Sequence, residues 1–333
     1  MLINVKDFTK FLRHIVHEDN TVSQVIVPVR SDYSDEKHTF FAPLTNDGHP
    51  VLNSYRTVDP TKFLLYMARE QVLPVENNKV RIIAGVKACD LKAIEVLDAA
   101  LLFDEFTDPV YKQWRDSTLI ISSDCSDISP TCHCNLVNGQ PFAESGYDLN
   151  LSRLKNDFWV TVGSERGNKL LDLIKTKIKT RKASESQRMQ VEKERKTIME
   201  RLIEQNRPFA RSSHYENLRT IALDPWNDES KTCIGCGACT HICPTCYCLI
   251  LNDETQSAQF IKQRTYDSCQ YNGYARVAGG ANPRSSMSKR FRNRYLCKFD
   301  YMLQNFEKFG CTGCGRCSEA CAGEIDFRQV VHN

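Results

Sequence analysis

Cys233-Ile-Gly-Cys236-Gly-Ala-Cys239-Thr-His-Ile-Cys243-Pro244 decides the reading of this chain, and Cys311-Thr-Gly-Cys314-Gly-Arg-Cys317-Ser-Glu-Ala-Cys321-Ala322 repeats it near the C-terminus. Both segments carry the C-x₂-C-x₂-C-x₃-C spacing that ligates paired [4Fe–4S] clusters. Three cysteines two residues apart wrap one face of a cubane. The glycines between them relieve crowding where backbone N–H groups turn toward sulfide. The fourth cysteine, three residues on, starts a helix leading away and reaches the other cluster. The spacing therefore predicts cluster I on Cys233, Cys236, Cys239 and Cys321, and cluster II on Cys311, Cys314, Cys317 and Cys243. Paired zinc sites are the bland alternative, but zinc needs two C-x₂-C pairs per metal, not a triple followed by x₃-C. Ala322 stands where the first motif has Pro244, which removes a turn constraint and no ligand.

Between the motifs lie 67 residues carrying Cys246, Cys248, Cys269 and Cys297. Cys246 and Cys248 (in PTCYC) and Cys269 (in TYDSCQ) have two readings. They either contribute to a further metal or shielding site, or are buried small hydrophobes around the clusters. The second reading is preferred. Cys297 lies in the helical run MSKRFRNRYLCKFDYMLQNF and reads as ordinary core. The same run holds Lys289, Arg290, Arg292, Arg294 and Lys298. Such a stripe can raise cluster potentials or dock an acidic partner, but a solvated helix face is the preferred reading. No nucleic-acid motif accompanies the charge.

The 333 residues suit two domains or three, and 41% apolar with 26% charged residues is ordinary globular composition. A net charge of +3 marks no global field for nucleic acid or membrane. No run of 18 apolar residues occurs, so no bilayer span is expected. The opening MLINVKDFTKFLRHIVHED lacks a signal-peptide pattern and reads as an amphipathic helix, making a cytoplasmic location the default. There, 16 cysteines read as metal ligands rather than disulfides.

Upstream of the motifs the chain has an α/β rhythm. QVIVPV (24–29), RIIAGV (81–86), TLIISS (118–123) and FWVTVGS (158–164) read as strands. PTKFLLYMAREQV (60–72), DLKAIEVLDAALLF (90–103, with Asp90 as its cap) and GNKLLDLIKTKI read as helices. The expected fold is an α/β N-terminal domain with a mixed, partly parallel sheet, followed by a helical domain holding two [4Fe–4S] clusters. The expected boundaries are 1–174 for the α/β domain, 175–230 for a charged, solvated helical linker, and 231–333 for the dicluster domain.

Four cysteines belong to the first half: Cys89, Cys125, Cys132 and Cys134. Cys89 follows RIIAGV and Cys125 follows TLIISSD. If those strands are parallel neighbours, both thiols emerge at the carboxyl edge of the sheet, where open α/β folds place ligands. Cys132 and Cys134 are close enough to fold back to it. A third [4Fe–4S] cluster is the preferred reading. A zinc site with His133 as a ligand and unrelated buried cysteines are the alternatives.

GVKACDLKAIEVLD (85–98), DCSDISPTCHC (124–134), ESGYDL (144–149), CIGCGACTHICPTCYC (233–248), TYDSC (265–269), AGGANPR (278–284) and CTGCGRC (311–317) occur in that order. In this the chain resembles the iron–sulfur β subunit of cytosolic sulfhydrogenases ([NiFe] hydrogenases) and the iron–sulfur A subunit of anaerobic sulfite reductase. The resemblance covers most of the chain from about residue 80, and little of 175–230. It implies a ferredoxin-type electron conduit between a flavin subunit binding NAD(P)H and a catalytic metal centre. It also implies that the cysteines of ACD and of C-x₆-C-x-C are a ligand set. Two departures stand out, Ala322 after Cys321 and His133 where an aromatic is usual.

No G-x-G-x-x-G follows a strand, so no flavin or NAD site of its own is evident. Nor are ligands present for a nickel, sirohaem or molybdenum centre. The leading expectation is an electron-transfer subunit of a multi-subunit oxidoreductase, linking a flavin/NAD(P)H or ferredoxin-linked subunit to a catalytic subunit. A self-contained iron–sulfur reductase acting on a small substrate is the alternative, and a zinc-stabilised interaction scaffold a third reading.

Overall fold

The computed structural model describes residues 1–18, 21–30, 38–73, 79–210, 218–256 and 258–332. Its strands are β1 (Leu2–Asn4), β2 (Val22–Arg30), β3 (Thr39–Pro43), β4 (Arg69–Gln71), β5 (Val80–Val86), β6 (Thr118–Ser123), β7 (Leu149–Leu154), β8 (Asp157–Val162), β9 (Thr180–Arg181), β10 (Leu249–Gln256) and β11 (Gln259–Tyr266). Eight form one sheet in the order β3-β2-β5-β6-β7-β8-β1-β9. Its centre, β2-β5-β6-β7, is parallel, and antiparallel strands flank it on both sides.

The sheet is covered on both faces because its strands alternate. Val25, Val27, Ile82, Ala84 and Ile121 point into one core with Phe8, Phe11, Leu12 and Ile15 of helix α1 (Val5–Glu18). Ile26, Ile83, Val86 and Ile120 point the other way. There they meet Leu65 of α2 (Lys62–Leu65), Leu91, Ile94 and Leu97 of α3 (Ala88–Leu101), and Tyr111 of α4 (Pro109–Asp116). Leu170, Leu171 and Ile174 of α5 (Glu165–Lys177) complete the first core. All four strands read from the sequence are therefore present. The helix expected over 60–72 is not. It lasts four residues before the chain turns into β4, whose Arg69–Gln71 pairs with β11.

The charged stretch after α5 forms α6 (Glu185–Asn206), opened by a Ser184–Gln187 capping box. Its charge alone suggested solvation on all sides, but Val191, Ile198 and Leu202 are buried, and Val191 packs on Leu2 and Leu154. Arg195 of this helix reaches Asp124 at 2.8 Å, at the end of β6.

The C-terminal region is not all-helical. Short helices α7 (Leu223–Glu229), α8 (Ala238–His241), α9 (Met287–Leu296), α10 (Met302–Phe306), α11 (Arg316–Glu319) and α12 (Phe327–His332) are joined by the β10–β11 hairpin, paired from Leu249↔Tyr266 to Gln256↔Gln259. Trp226, Phe291, Tyr295, Phe299, Phe327 and Val330 make its core. A π-turn over Cys297–Tyr301 links α9 to α10.

The two halves interlock through buried polar contacts. Arg316, from the second cysteine motif, pairs with Asp90 at 2.8 Å, both side chains almost wholly buried. Asp90 is thus not the cap of α3. Lys87 holds that position, and the Asp90 carboxylate accepts from Arg316 and from the Thr61 N–H. Arg56 donates to the Cys314 carbonyl at 2.6 Å and pairs with Glu319.

Candidate metal centres

The second cysteine motif wraps a cavity whose wall is formed by Cys243, Cys311, Cys314 and Cys317, together with His133 and Arg294. Four sulfurs from two distant segments therefore face one space, in the combination expected for cluster II. Gly313 and Gly315 adopt φ of +67° and +74°, which lets the backbone turn between the cysteines. A Cβ on Gly313 would collide with the backbone of Cys134, and one on Gly315 with the Thr131 carbonyl. These glycines thus also let the motif press against the segment that carries Cys132 and Cys134. The contact is sealed by a hydrogen bond from the His133 N–H to the Gly313 carbonyl, 2.7 Å.

The first motif gathers a second set. Burial pushes the Cys233 thiol up, with the Gly235 N–H opposing and Cys321 and Cys236 reinforcing the shift. Burial likewise raises Cys239, which faces Cys233, Cys243 and Cys321 as well as Arg294. Cys233, Cys236, Cys239 and Cys321 are thus neighbours, and Cys236 is exposed at the surface.

Strands β5 and β6 are parallel neighbours, paired from Arg81↔Thr118 to Val86↔Ser122. Cys89, in the first turn of α3, and Cys125, just beyond β6, leave the sheet at the same edge. Burial pushes Cys125 up to about 12, with Lys87 opposing and Cys132 adding to the rise. Cys134 is raised by burial, then by Cys125 and Cys132. The four N-terminal cysteines therefore converge. Cys89 and Cys132 also face Cys314, so this set adjoins the second-motif cavity.

His133 does not join the N-terminal set. Its ring stacks on Phe327, Nδ1 lies 2.9 Å from the Thr131 carbonyl, and Nε2 approaches Cys311 Sγ at 3.7 Å. Burial pushes its pKa down to about 4, so it is a neutral imidazole against the second-motif cavity. Among the described residues, no three His, Cys, Asp or Glu side chains close tightly enough around one point to hold a single metal ion.

The thiol sets fit an anionic polynuclear group in charge as well. Buried thiols resist ionisation, and metal binding deprotonates them. Cations sit against them at a depth where cations are otherwise rare. Burial works against the Arg294 charge, but Cys239 and Cys317 outweigh it and hold the guanidinium protonated. Among the described residues its buried Nε has no hydrogen-bond partner. Lys87 is fully enclosed and donates to Ser123 Oγ at 2.7 Å and the Leu52 carbonyl at 3.0 Å, beside Cys125 and Cys89. Of the basic run, Arg290, Arg294 and Lys298 are buried, Arg292 is half-buried and Lys289 is exposed, so only part of it is a solvated face.

Several positioning residues escaped the sequence reading. Arg56, Lys62 and Asn206 sit in no motif, whereas Arg316 stood inside Cys314-Gly-Arg-Cys317. Asn206, 0% exposed, donates from Nδ2 to the Cys132 carbonyl and to Asn135 Oδ1, both at 2.9 Å, and accepts from Arg328. Asn206→Ala strands those groups and should cost about 1–3 kcal/mol. It should also loosen iron at the N-terminal set while leaving the other sets loaded, which iron assay and denaturant unfolding would check. Cys246, Cys248, Cys269 and Cys297 also lie together, with Cys248 hydrogen-bonded to Cys269 and Cys297 beside both. Cys297, expected as ordinary core, thus has three other thiols for neighbours.

Residues 232–325 match the family model of the 4Fe–4S dicluster domain. The whole chain is similar to sulfhydrogenase 2 subunit beta of Pyrococcus furiosus, 28% identical over 352 residues, covering 98% of this chain and 97% of that one. No solved structure matches. No helix among the described residues is long and apolar enough to cross a membrane. The chain thus carries a 4Fe–4S dicluster domain and is similar along its whole length to an iron–sulfur β subunit.

Proposed function

We propose that this chain relays single electrons inside a multi-subunit oxidoreductase, between a flavin/NAD(P)H- or ferredoxin-linked subunit and a subunit holding a catalytic metal centre. The observation that carries this reading is the contiguity of the thiol sets. Cys239 of the first set faces Cys243 of the second, and Cys314 of the second faces Cys89 and Cys132 of the third. In this reading Cys233, Cys236, Cys239 and Cys321 hold cluster I. Cys311, Cys314, Cys317 and Cys243 hold cluster II, and Cys89, Cys125, Cys132 and Cys134 hold cluster III.

A [4Fe–4S] cluster supplies one-electron redox chemistry when bound, at a potential set by nearby charge and burial. The protein's residues do the rest. Arg294, Lys87 and Arg56 place positive charge beside the thiolates, which favours added electrons. Phe327, Tyr295 and Phe299 keep water from the centre. Exposed Cys236 and Ile234 bring one end of the series to the surface. An open pocket lined by Cys125, Ser126 and Arg195 marks the other end.

Purified without oxygen and reduced chemically, the chain should show [4Fe–4S] EPR signals and pass electrons to a redox dye. It should turn over neither H₂ nor sulfite unaided. Turnover of such a substrate by the single chain would defeat the relay reading. Cys89→Ala should remove about four irons, one cubane, and an unchanged count would remove cluster III from the series.

A further inference from the structure

We propose that Cys246, Cys248, Cys269 and Cys297 form a fourth thiolate site, built for an iron–sulfur cubane and adjoining the second-motif cavity. This goes beyond the three-cluster relay and stands on different residues.

The fold brings the four together by separate means. Cys246 and Cys248 lie in the segment running from Cys243 into β10. The β10–β11 ladder continues past its last pair, with the Asp267 N–H donating to the Cys248 carbonyl at 3.0 Å. That bond sets Cys269, two residues on, against Cys248, and their sulfurs are within hydrogen-bond reach. Gln270 then ties this corner to α9, donating to the Arg290 carbonyl and accepting from Arg290 Nε, each at 2.9 Å. The π-turn at the end of α9 begins at Cys297. Such turns shift the phase of a helix by one residue and recur at functional sites. Here Cys297 lies toward Cys248 and Cys269 and its neighbour Lys298 toward Cys243 and Cys246.

The surrounding charge is the second observation. Lys62 and Lys298 are buried, and among the described residues neither forms an ion pair with a carboxylate. Lys298 Nζ donates to Thr245 Oγ1 at 2.6 Å, and Lys62 Nζ to the carbonyls of His241 and Cys246 at 2.9 and 3.0 Å. The negative groups these ammoniums face are thiols: Cys243, Cys246 and Cys297 for Lys298, and Cys246, Cys243 and Cys248 for Lys62. Two buried cations without carboxylates call for an anion between them, which four metal-bound thiolates provide. Arg294 stands in the same relation to the first two sets. On taking up a cubane of four irons and four sulfides, each thiol would give its proton to solvent and each cysteine sulfur would form one bond to iron.

A cubane fits better than one ion. No three donors close on a single point among the described residues, as zinc would require. A cubane instead takes its four thiolates at the corners of a larger tetrahedron. Cys246 also hydrogen-bonds Cys243, so this quartet touches the second set directly.

The test is iron and acid-labile sulfide on the full chain, purified anaerobically, with zinc determined alongside. Cys297→Ala should lose about four irons relative to the wild type and keep the EPR signals of the other sites. A cysteine that merely packs would lose none, so an unchanged count overturns the proposal. Cys89→Ala, assayed in parallel, reports on the N-terminal set alone, so failure of the three-cluster reading is told apart. If Cys297→Ala does not fold, the wild-type total decides. About 16 irons support the fourth site, as do about 12 when Cys89→Ala loses none of them; about 12 of which Cys89→Ala loses about four, or about 8 or fewer, overturn it, with zinc or a Cys248–Cys269 disulfide then showing what occupies the place.

Discussion

Cys243→Ala is expected to have the largest effect of any single cysteine change, removing about four irons from the second set and weakening the sets on either side. The reason is its position. Cys243 is 8% exposed, lines the cavity of the second motif, faces Cys239 of the first set and hydrogen-bonds Cys246. As an iron ligand Cys243 would be a thiolate, with the Thr245 hydroxyl 3.3 Å from its sulfur and Lys298 beside it. Alanine removes that negative group and leaves Lys298 buried with less to balance it. Stranding one partner of a buried charge pair costs about 3–5 kcal/mol. Iron assay and anaerobic denaturant unfolding measure both effects. Cys236→Ala is the comparison, since an exposed ligand at the edge should cost about four irons and little else. Full iron in Cys243→Ala would show that the second set does not use a ligand from the first motif.

The cysteine motifs and the parallel strands were legible because each rests on local pattern. Cubane spacing is read within eleven residues, and RIIAGV and TLIISS are short β-rich runs that only a buried strand accommodates. Their adjacency stood only as a condition in the sequence, and the parallel pairing of β5 with β6 meets it and brings Cys89 and Cys125 to one edge. The helix expected over 60–72 failed for the opposite reason. Its apolar spacing is local, but Arg69–Gln71 gains more by pairing with β11, almost two hundred residues later. The basic run misled in the same way. Arg290, Arg294 and Lys298 look like a solvated stripe until their partners, the Gln270 carbonyl for Arg290 and the thiols for the other two, fold over them. Charge in sequence says nothing of what anion a distant segment will supply. Nor could α6 announce its role, because Asn206 and Arg195 act through Cys132 and Asp124, from more than seventy residues upstream.

The contact that joins the two halves carries the other large expectation. Arg316→Leu should cost about 3–5 kcal/mol, because it removes the guanidinium paired directly with the buried Asp90 carboxylate. Both side chains are almost fully enclosed, and the guanidinium also donates to the Thr57 and Val58 carbonyls at 3.0 Å. Burial works against the Arg316 charge, yet Asp90 and Cys314 together hold it firmly protonated. The pair joins the turn after β5 to the second cysteine motif, so its loss should let Cys89 move from Cys314. Iron at the N-terminal set should fall first. The double variant Asp90→Leu with Arg316→Leu removes both charges, and its cost should be well below the sum of the single changes. Unfolding midpoints of the four proteins, taken anaerobically with iron measured on each, give that coupling directly. Strict additivity would mean that Arg316 acts through its carbonyl contacts alone and that the ion pair does not hold the two halves in register.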